Sequence, residues 1–364
     1  MADLRPDRLT ALRAHLAEVD AVLITAPYQL RAFCGAEVSA GTLALTPQGS
    51  FLLLDPRYHD AVTAPAQVDI KPYANGPQRL QTLRWVLGGA RRIGVYAQAL
   101  TLAEMDALSP GDELCFVPID GVLDRLTSLL THREIASLQR AETVTRRALE
   151  AAFAALRAGV SEREIRQVLL GVIERDSEGP AFAPIVAFGV RTALPHAHPS
   201  VATLQPGDLV TMDAGAVVDG LHADLTETRI FGAAPGQDPQ AQALLSVVRC
   251  ALDAARRATR AGATAEEIDE SARAPIREAG FDKQTLRGIG HALGYQTHQP
   301  PILREHAQDR VQVGQVLALE PGVYLPGVGG VRLEEMVVVG ETSAMPIAEW
   351  QSAAHPSSAA RGVR

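Results

Sequence analysis

Four carboxylates and one histidine in the second half of the chain have the types and surroundings of metal ligands: Asp213, Asp224, His291, Glu320 and Glu334. Taken one at a time, an Asp or Glu is usually a solvated surface charge, and a lone histidine is more often a satisfied core residue than a ligand. Each of these five, however, is embedded in apolar or glycine-rich, strand-like sequence. Because burying unpaired carboxylates is unfavourable, their shared surroundings indicate a cation-binding site.

The two aspartates lie on the arms of a predicted hairpin. The strand that contains Asp213 runs into Asp219-Gly220, the strongest short hairpin signal, and the returning strand contains Asp224. A two-residue turn at this point pairs Asp213 with Thr226 and puts Asp224 on the same face as Asp213. Diagonal neighbours of this kind are ~7–8 Å apart at the backbone, so the two carboxylates can converge on one or two cations.

The two glutamates flank a second predicted hairpin. Glu320 ends one apolar run and Glu334 follows another, with the glycine-rich segment 326–330 between them. A loop with an odd number of residues there sets Glu320 opposite Glu334. The plainer alternative is that Pro321-Gly322 merely breaks a strand.

This donor set is rich in oxygen, poor in nitrogen and without thiolate, which suits Mn²⁺, Co²⁺ or Zn²⁺ better than a structural zinc site. Four negative charges are balanced by two divalent ions, so we expect two metal ions per chain. A metal pair ~3.5–4 Å apart is a standard hydrolytic device, because it turns a bridging water into a hydroxide that attacks a carbonyl carbon. His196 and His298 could donate a hydrogen bond to the oxyanion or the leaving nitrogen. For His196 the plainer alternative is an ordinary surface loop.

The elements that must position these residues fall into two parts. Residues 1–125 alternate predicted strands and helices, which indicates an α/β domain around a mixed sheet. Residues 126–364 combine hairpins with long helices that begin at capping boxes, which indicates an α+β domain. The predicted strands of the first part are 21–25, 42–45, 51–54, 93–96 and 115–119, with a capped helix at Thr101, and the capping boxes of the second part are at Thr131, Ser161 and Thr264. The helix capped by Thr131 is predicted to continue to about Arg157.

The composition excludes several classes of protein. The net charge of −8 over 364 residues argues against a protein held to nucleic acid by overall positive charge. No apolar run reaches the ~20 residues of a membrane span, and no signal peptide is visible, so we expect no membrane partner. Cys34, Cys115 and Cys250 are far apart and in no metal spacing, which favours a reduced, cytoplasmic protein.

The ordered motifs over residues ~130–345 resemble those of the pita-bread metallopeptidase family, which includes prolidase, aminopeptidase P and methionine aminopeptidase. The matching segments are 193–196, 212–226, 290–298, 320–324 and 332–335. The N-terminal part resembles the creatinase-type domain that prolidases and aminopeptidases P carry. The resemblance therefore implies an α+β pita-bread catalytic domain, preceded by a smaller α/β creatinase-like domain, in a homodimer.

The resemblance also implies a role for each candidate ligand. Asp213 is implied to chelate one metal, and Asp224 and Glu334 to bridge both. His291 and Glu320 are implied to complete the second site. Glu320 is further implied to accept a proton from the bridging water.

The implied substrate contacts involve residues outside the ligand set. His196 and His298 are implied to contact the substrate around the scissile carbonyl, which makes them catalytic residues together with Glu320. Arg332 is implied to hold a ligand carboxylate, that of Asp213.

The implied activity is hydrolysis of the Xaa-Pro bond, a tertiary amide whose nitrogen carries no hydrogen, in small proline-containing peptides. In some prolidases an arginine at the position of Ile302 binds the dipeptide carboxylate, and Arg304 or Arg287 is the candidate replacement here. We expect an Xaa-Pro dipeptidase that acts through a metal-bridging hydroxide. The alternatives are an Xaa-Pro aminopeptidase acting on longer peptides and, from a different class, a metal-free scaffold member of the fold.

Overall fold

The computed structural model describes residues 8–62, 67–111, 113–232 and 239–351. The chain divides into two compact units between Thr127 and Ser128. The sequence predicted the domain boundary two residues earlier, between residues 125 and 126. None of the helices within the described ranges is long and apolar enough to cross a membrane.

The first unit is built on one mixed sheet with helices packed against it. Its elements are α1 (Arg8–Arg13), β1 (Ala21–Ile24), α2 (Pro27–Cys34), β2 (Gly41–Thr46), β3 (Gly49–Leu54), β4 (Val68–Pro72), α3 (Gly76–Leu87), β5 (Arg92–Val95), α4 (Leu102–Leu108), β6 (Cys115–Pro118) and α5 (Asp120–Ser128). The strand order is β4-β3-β2-β1-β5-β6. Strand β2 runs antiparallel to β1 and β3, and the other neighbours are parallel. The predicted mixed sheet is confirmed, as is the capping box at Thr101.

The second unit contains four long helices: α6 (His132–Ala154), α7 (Glu162–Asp176), α8 (Pro239–Ala258) and α9 (Ala265–Glu278). The predicted capping boxes at Thr131, Ser161 and Thr264 are confirmed, since each hydroxyl accepts the backbone N–H of the glutamate three residues later. Helix α6 ends at Ala154 rather than at Arg157.

The strands of the second unit form antiparallel sheets and hairpins. They are β7 (Ile185–Phe188), β8 (Leu209–Ala214), β9 (Val217–Val218), β10 (Leu221–His222), β11 (Leu225–Ile230), β12 (Gly290–Leu293), β13 (Gln299–Leu303), β14 (Val316–Leu319), β15 (Gly322–Leu325), β16 (Gly329–Arg332), β17 (Glu335–Val339) and β18 (Ala344–Pro346). One sheet has the order β11-β8-β7 and another the order β13-β12-β14-β17-β18, while β9-β10 and β15-β16 form separate pairs.

Two apolar clusters hold these helices and strands together. One packs α6 and α7 against β7 and β8, with Leu169 and Met212 fully buried. The other packs α8 and α9 against β12, β14 and β17, with Val248 and Leu317 fully buried. Burial of this kind contributes roughly 1.5–3 kcal/mol for each large apolar side chain, so the strands that carry the candidate ligands are firmly placed.

The register of the aspartate hairpin is confirmed, because Asp213 pairs with Thr226. The turn residues Asp219 and Gly220 both have positive φ, 52° and 71°. That geometry belongs to the two-residue turn whose twist matches a hairpin. Asp224 lies just before β11, on the arm opposite Asp213.

The register of the glutamate hairpin is confirmed in the same way. The β14–β17 and β15–β16 ladders have one common register, in which Gly322 pairs with Arg332. Glu320 and Glu334 lie in the gap between the two ladders and face each other. A Cβ on Gly290, beside His291, would lie 2.1 Å from the Ala318 carbonyl oxygen, so only glycine permits this close strand approach.

Candidate metal centre

The five candidate ligands come together from five chain segments at one end of the strands. Carboxylate oxygens of Asp213, Asp224 and Glu334 lie within 4.8 Å of one another. His291 Nε2 is 3.8 Å from Asp224 Oδ2 and 3.5 Å from Glu320 Oε1. The hairpin registers explain this convergence, since each hairpin brings two carboxylates to one place.

A second group of donors shares one member with the first. Potential ligand atoms of Asp224, His291 and His298 also lie within 4.8 Å of one another. The rings of His291 and His298 are 4.4 Å apart between centroids, but His291 is buried whereas His298 is exposed. Each of these two groups, which share Asp224, could hold a metal ion.

Burial and mutual repulsion make this cluster electrostatically demanding. Burial raises the pKa of Asp224 well above its usual value, and the charges of Glu334 and Asp213 raise it further. Burial raises the pKa of Glu334 well above its usual value, and the charges of Glu320 and Asp213 raise it further. Burial also raises the pKa of Glu320, against the opposing effect of Arg332. Divalent cations would remove this penalty.

The buried atoms without partners test whether these residues fit a metal. Among the described residues, Asp213 Oδ1, His291 Nε2 and Glu334 Oε1 are buried and have no hydrogen-bond partner. His291 Nδ1 lies 3.1 Å from the Ala292 carbonyl oxygen. Because a carbonyl only accepts, Nδ1 carries the hydrogen and Nε2 presents its lone pair. Burial also lowers the pKa of His291, which favours the neutral ligand form. The donor set therefore fits divalent metal ions.

Arg332 holds one carboxylate oxygen of the candidate ligand Asp213, and the other oxygen has no partner among the described residues. Its Nη2 donates to Asp213 Oδ2 at 2.6 Å, the contact that the resemblance implied. Its Nε donates to Thr226 Oγ1 at 3.0 Å, and that hydroxyl donates to Glu334 Oε2 at 2.8 Å. The unheld oxygens of Asp213 and Glu334 are the buried unpartnered ones. Sequence reasoning did not identify Thr226 in this role.

The donors open into a cavity of about 590 Å³. The side chains lining it are Arg163, Arg166, Gln167, Phe182, Ala183, Pro184, Ile185, His196, Ala197, His198, Pro199, Asp213, Asp224, His298, Glu320 and Arg332. The two histidines predicted to contact substrate are therefore in the cavity with three of the candidate ligands. Arg304 is exposed at the end of β13 and is not among these residues, and neither is Arg287 or Ile302.

A buried glutamate that sequence reasoning missed fixes the segment with the cavity histidines. Glu162 is fully buried at the start of α7. Its carboxylate accepts hydrogen bonds from Phe188 N at 3.0 Å, Arg191 Nε at 2.9 Å and Ser200 N at 2.7 Å. Arg191 also donates to the His198 carbonyl at 2.7 Å. The sequence gives little sign of this role, because Glu162 directly follows the capping serine Ser161, a position at which an acidic residue normally faces solvent.

Comparison with known proteins identifies the family of the chain. Residues 136–341 match Metallopeptidase family M24, and residues 8–127 match the Creatinase/Prolidase N-terminal domain. The chain belongs to metallopeptidase family M24. The predicted fold, a pita-bread catalytic domain preceded by a smaller creatinase-like domain, is confirmed. The name of the family agrees with the predicted metal-dependent peptidase.

Individual relatives have related names. The chain is 33% identical over 233 residues to the Xaa-Pro dipeptidase of Pyrococcus furiosus, an alignment that covers 63% of this chain and 65% of that protein. The solved Xaa-Pro dipeptidase from Bacillus anthracis has a TM-score of 0.88 at 26% identity, covering 95% of this chain and 98% of that one. The X-Pro aminopeptidase from Thermotoga maritima has a TM-score of 0.84 at 26% identity, covering 94% and 98%.

Proposed function

We propose that this chain is a metal-dependent dipeptidase that hydrolyses the peptide bond before proline in small peptides. The observation that carries the proposal is the convergence of the carboxylates of Asp213, Asp224 and Glu334 beside the cavity that His196 and His298 line. The names of the Pyrococcus and Bacillus relatives support the dipeptide as substrate.

Within the described part of the chain, three of the five proposed metal ligands have a buried atom without a hydrogen-bond partner: Asp213 Oδ1, His291 Nε2 and Glu334 Oε1. Asp213 would hold one ion, and Asp224 and Glu334 would be shared between the two. His291 and Glu320 would complete the second site. We propose two ions per chain, drawn from Mn²⁺, Co²⁺ or Zn²⁺, because an oxygen-rich set with one imidazole suits all three.

Bound divalent ions supply Lewis acidity and lower the pKa of a coordinated water from ~15.7 towards ~7. Glu320 faces the cavity with 30% of its side chain exposed. It is placed to take a proton from the attacking water and to pass that proton to the proline nitrogen as the C–N bond breaks.

The cavity histidines act on the substrate side of this reaction. Partial desolvation of the ring lowers the pKa of His298, so the ring is neutral near pH 7 and has one N–H to donate. His196 and His298 donate hydrogen bonds to the carbonyl oxygen as it gains negative charge. Arg332 Nη1 donates to the Pro195 carbonyl at 3.0 Å, which connects the ligand Asp213 to the residue before His196.

An Xaa-Pro aminopeptidase is the second candidate function. The Thermotoga relative has that name, and Ile302 occupies the position of the carboxylate-binding arginine of some prolidases.

A substrate length series separates the two candidates. The purified protein with Mn²⁺ is given Met-Pro, Met-Pro-Ala and, as a control, Met-Ala, and the released amino acid is measured. We expect rapid hydrolysis of Met-Pro, slower hydrolysis of the tripeptide and none of Met-Ala. Cleavage of the tripeptide alone would make the protein an aminopeptidase, and no cleavage of either Xaa-Pro peptide with any of the three metals would refute both candidates.

We also propose a homodimer located in the cytoplasm. Cys34, Cys115 and Cys250 are all free thiols, as a reducing compartment requires. Light scattering should give twice the chain mass of 38.7 kDa, and a mass of one chain would contradict the dimer.

A further inference from the structure

Two arginines on α7 extend into the substrate cavity without a protein partner. Arg163 and Arg166 are one helical turn apart, so they share a face of the helix with Gln167, and all three line the cavity. Arg163 is exposed and Arg166 is half-buried. Within the described residues, neither guanidinium has a carboxylate or hydrogen-bond partner.

Other arginines around this site are satisfied by protein groups. Arg191 is paired with Glu162 at 2.9 Å, and Arg332 with Asp213 at 2.6 Å. Arg175, at the far end of α7, is paired with Asp176 at 2.9 Å. Two unpaired guanidinium groups on the wall of one cavity therefore stand out as donors available to a ligand.

The charge distribution inside the cavity indicates the chemistry of that ligand. Its floor carries the carboxylates of Asp213, Asp224 and Glu320, which repel an anion wherever bound metal does not neutralise them. The wall formed by α7 carries two permanent positive charges. The guanidinium fork matches a carboxylate and can bind it with two parallel hydrogen bonds.

We propose that Arg163 and Arg166 bind a carboxylate of the peptide substrate, a role for which the sequence suggested Arg304. This inference rests on the proposed function, because it assumes a peptide held with its scissile bond at the metal centre. The carboxylate has two sources: the C-terminus of an Xaa-Pro dipeptide, or the side chain of an acidic residue before proline. Either source makes α7 a determinant of substrate choice.

The test compares charged and uncharged substrates in the Mn²⁺-loaded enzyme. The variants are Arg163→Gln, Arg166→Gln and the double variant. The substrates are Ala-Pro, Ala-Pro amide, Glu-Pro and Gln-Pro, with the amide assayed as substrate or as competitive inhibitor. We expect the double variant to lose about 10- to 100-fold in kcat/KM, the effect of losing charged hydrogen bonds, mainly through KM and only for one charged class.

The pattern of loss identifies the carboxylate. Loss for Ala-Pro with unchanged affinity for Ala-Pro amide assigns the C-terminal carboxylate. If kcat/KM falls for Glu-Pro but not for Gln-Pro or Ala-Pro, the bound carboxylate is that of the acidic side chain. The proposal is overturned if the double variant loses no kcat/KM, or loses it equally for substrates with and without the carboxylate in question. It is also overturned if Arg304→Gln, and not the α7 variants, shows the charge-selective loss.

Matched controls separate this inference from the proposed function. Arg175→Gln removes an arginine from the same helix outside the cavity and should leave all four substrates unchanged. Arg163→Lys and Arg166→Lys keep the charge and should retain part of the selectivity. A wild-type enzyme inactive on every Xaa-Pro peptide refutes the proposed function, whereas an active wild type with unaffected variants refutes this inference alone.

Discussion

At the level of single residues, Asp213 and Glu334 each have one carboxylate oxygen that the protein holds and one that it does not. Arg332 holds Asp213 Oδ2, and Thr226 holds Glu334 Oε2. The opposite oxygens are buried without a partner. A hydrogen bond to one oxygen of a carboxylate orients the other oxygen. Removing such a hydrogen-bond partner of a metal ligand typically lowers metal affinity or activity by about 10- to 100-fold. The site is therefore organised for ions before they bind.

The substitution Asp224→Asn tests the shared carboxylate. It keeps the shape of the side chain but removes a charge and a strong ligand, so we expect activity to fall by more than about 100-fold, beyond the loss typical of an outer contact. The metal-free variant should be at least as stable as metal-free wild type, because a repulsive charge has left the cluster. Steady-state kinetics and thermal unfolding measure the two effects.

Glu335→Gln is the matched control for this substitution. Glu335 is next to Glu334 in sequence, but its carboxylate is paired with Arg256 at 3.2 Å and does not line the cavity. The control should keep its metal and its activity. Full activity in Asp224→Asn would count against a shared ligand.

The individual ligands could be predicted because a carboxylate inside apolar, strand-like sequence is unusual. Glu162, Arg163 and Arg166 give no such signal, since charged residues in the first turns of a helix normally face solvent. Their functions depend on which segment packs beside α7. That packing places Ser200 against Glu162 and makes Arg163 and Arg166 line the cavity. It depends on contacts between distant parts of the chain, which the local sequence does not specify.

At the level of elements, two hairpins and one anchored segment build the site. The Asp219-Gly220 turn fixes the register that brings Asp213 and Asp224 together. Such registers could be predicted because turn chemistry specifies them locally. Helix α8 was missed, although proline at its first position, Pro239, is a typical helix start.

The anchored segment 188–200 leads to a prediction for Glu162→Gln. The amide cannot accept all the hydrogen bonds from Phe188, Arg191 and Ser200 that the carboxylate accepts. We expect a loss of about 2 kcal/mol in the free energy of unfolding. We also expect a lower kcat with unchanged metal content, because the segment with His196 is displaced while the ligands stay in place.

Glu164→Gln controls for a general effect of changing α7. Glu164 is two residues further along the helix and closes the exposed capping box with Ser161. Its substitution should leave kcat unaltered. An equal fall of kcat in both variants, or a loss of metal in Glu162→Gln, would show that Glu162 does not act through the segment.

At the level of the whole molecule, each unit has its own apolar core, and the candidate ligands all belong to the second. The layered α/β and α+β organisation could be predicted from capping boxes and strand-length runs. Metal binding should stabilise the second unit, because its buried carboxylates repel one another without cations.

Removal of metal should therefore lower the thermal midpoint. At a free metal concentration 100-fold above Kd, binding at one site contributes about 2.7 kcal/mol, which is roughly 5–10 °C for a unit of this size. Calorimetry with Mn²⁺ and with a chelator measures the difference. The Asp224→Asn variant should lose most of it, and an equal midpoint for wild type with and without metal would contradict a buried metal centre.

The metal content of the purified chain tests the central claim most directly. The protein is equilibrated with excess Mn²⁺, freed of unbound ions and analysed for metal per chain, together with Asp224→Asn and Glu335→Gln. We predict two ions per chain in wild type and Glu335→Gln and fewer than one in Asp224→Asn. A value near zero in the wild type under these conditions would contradict the account.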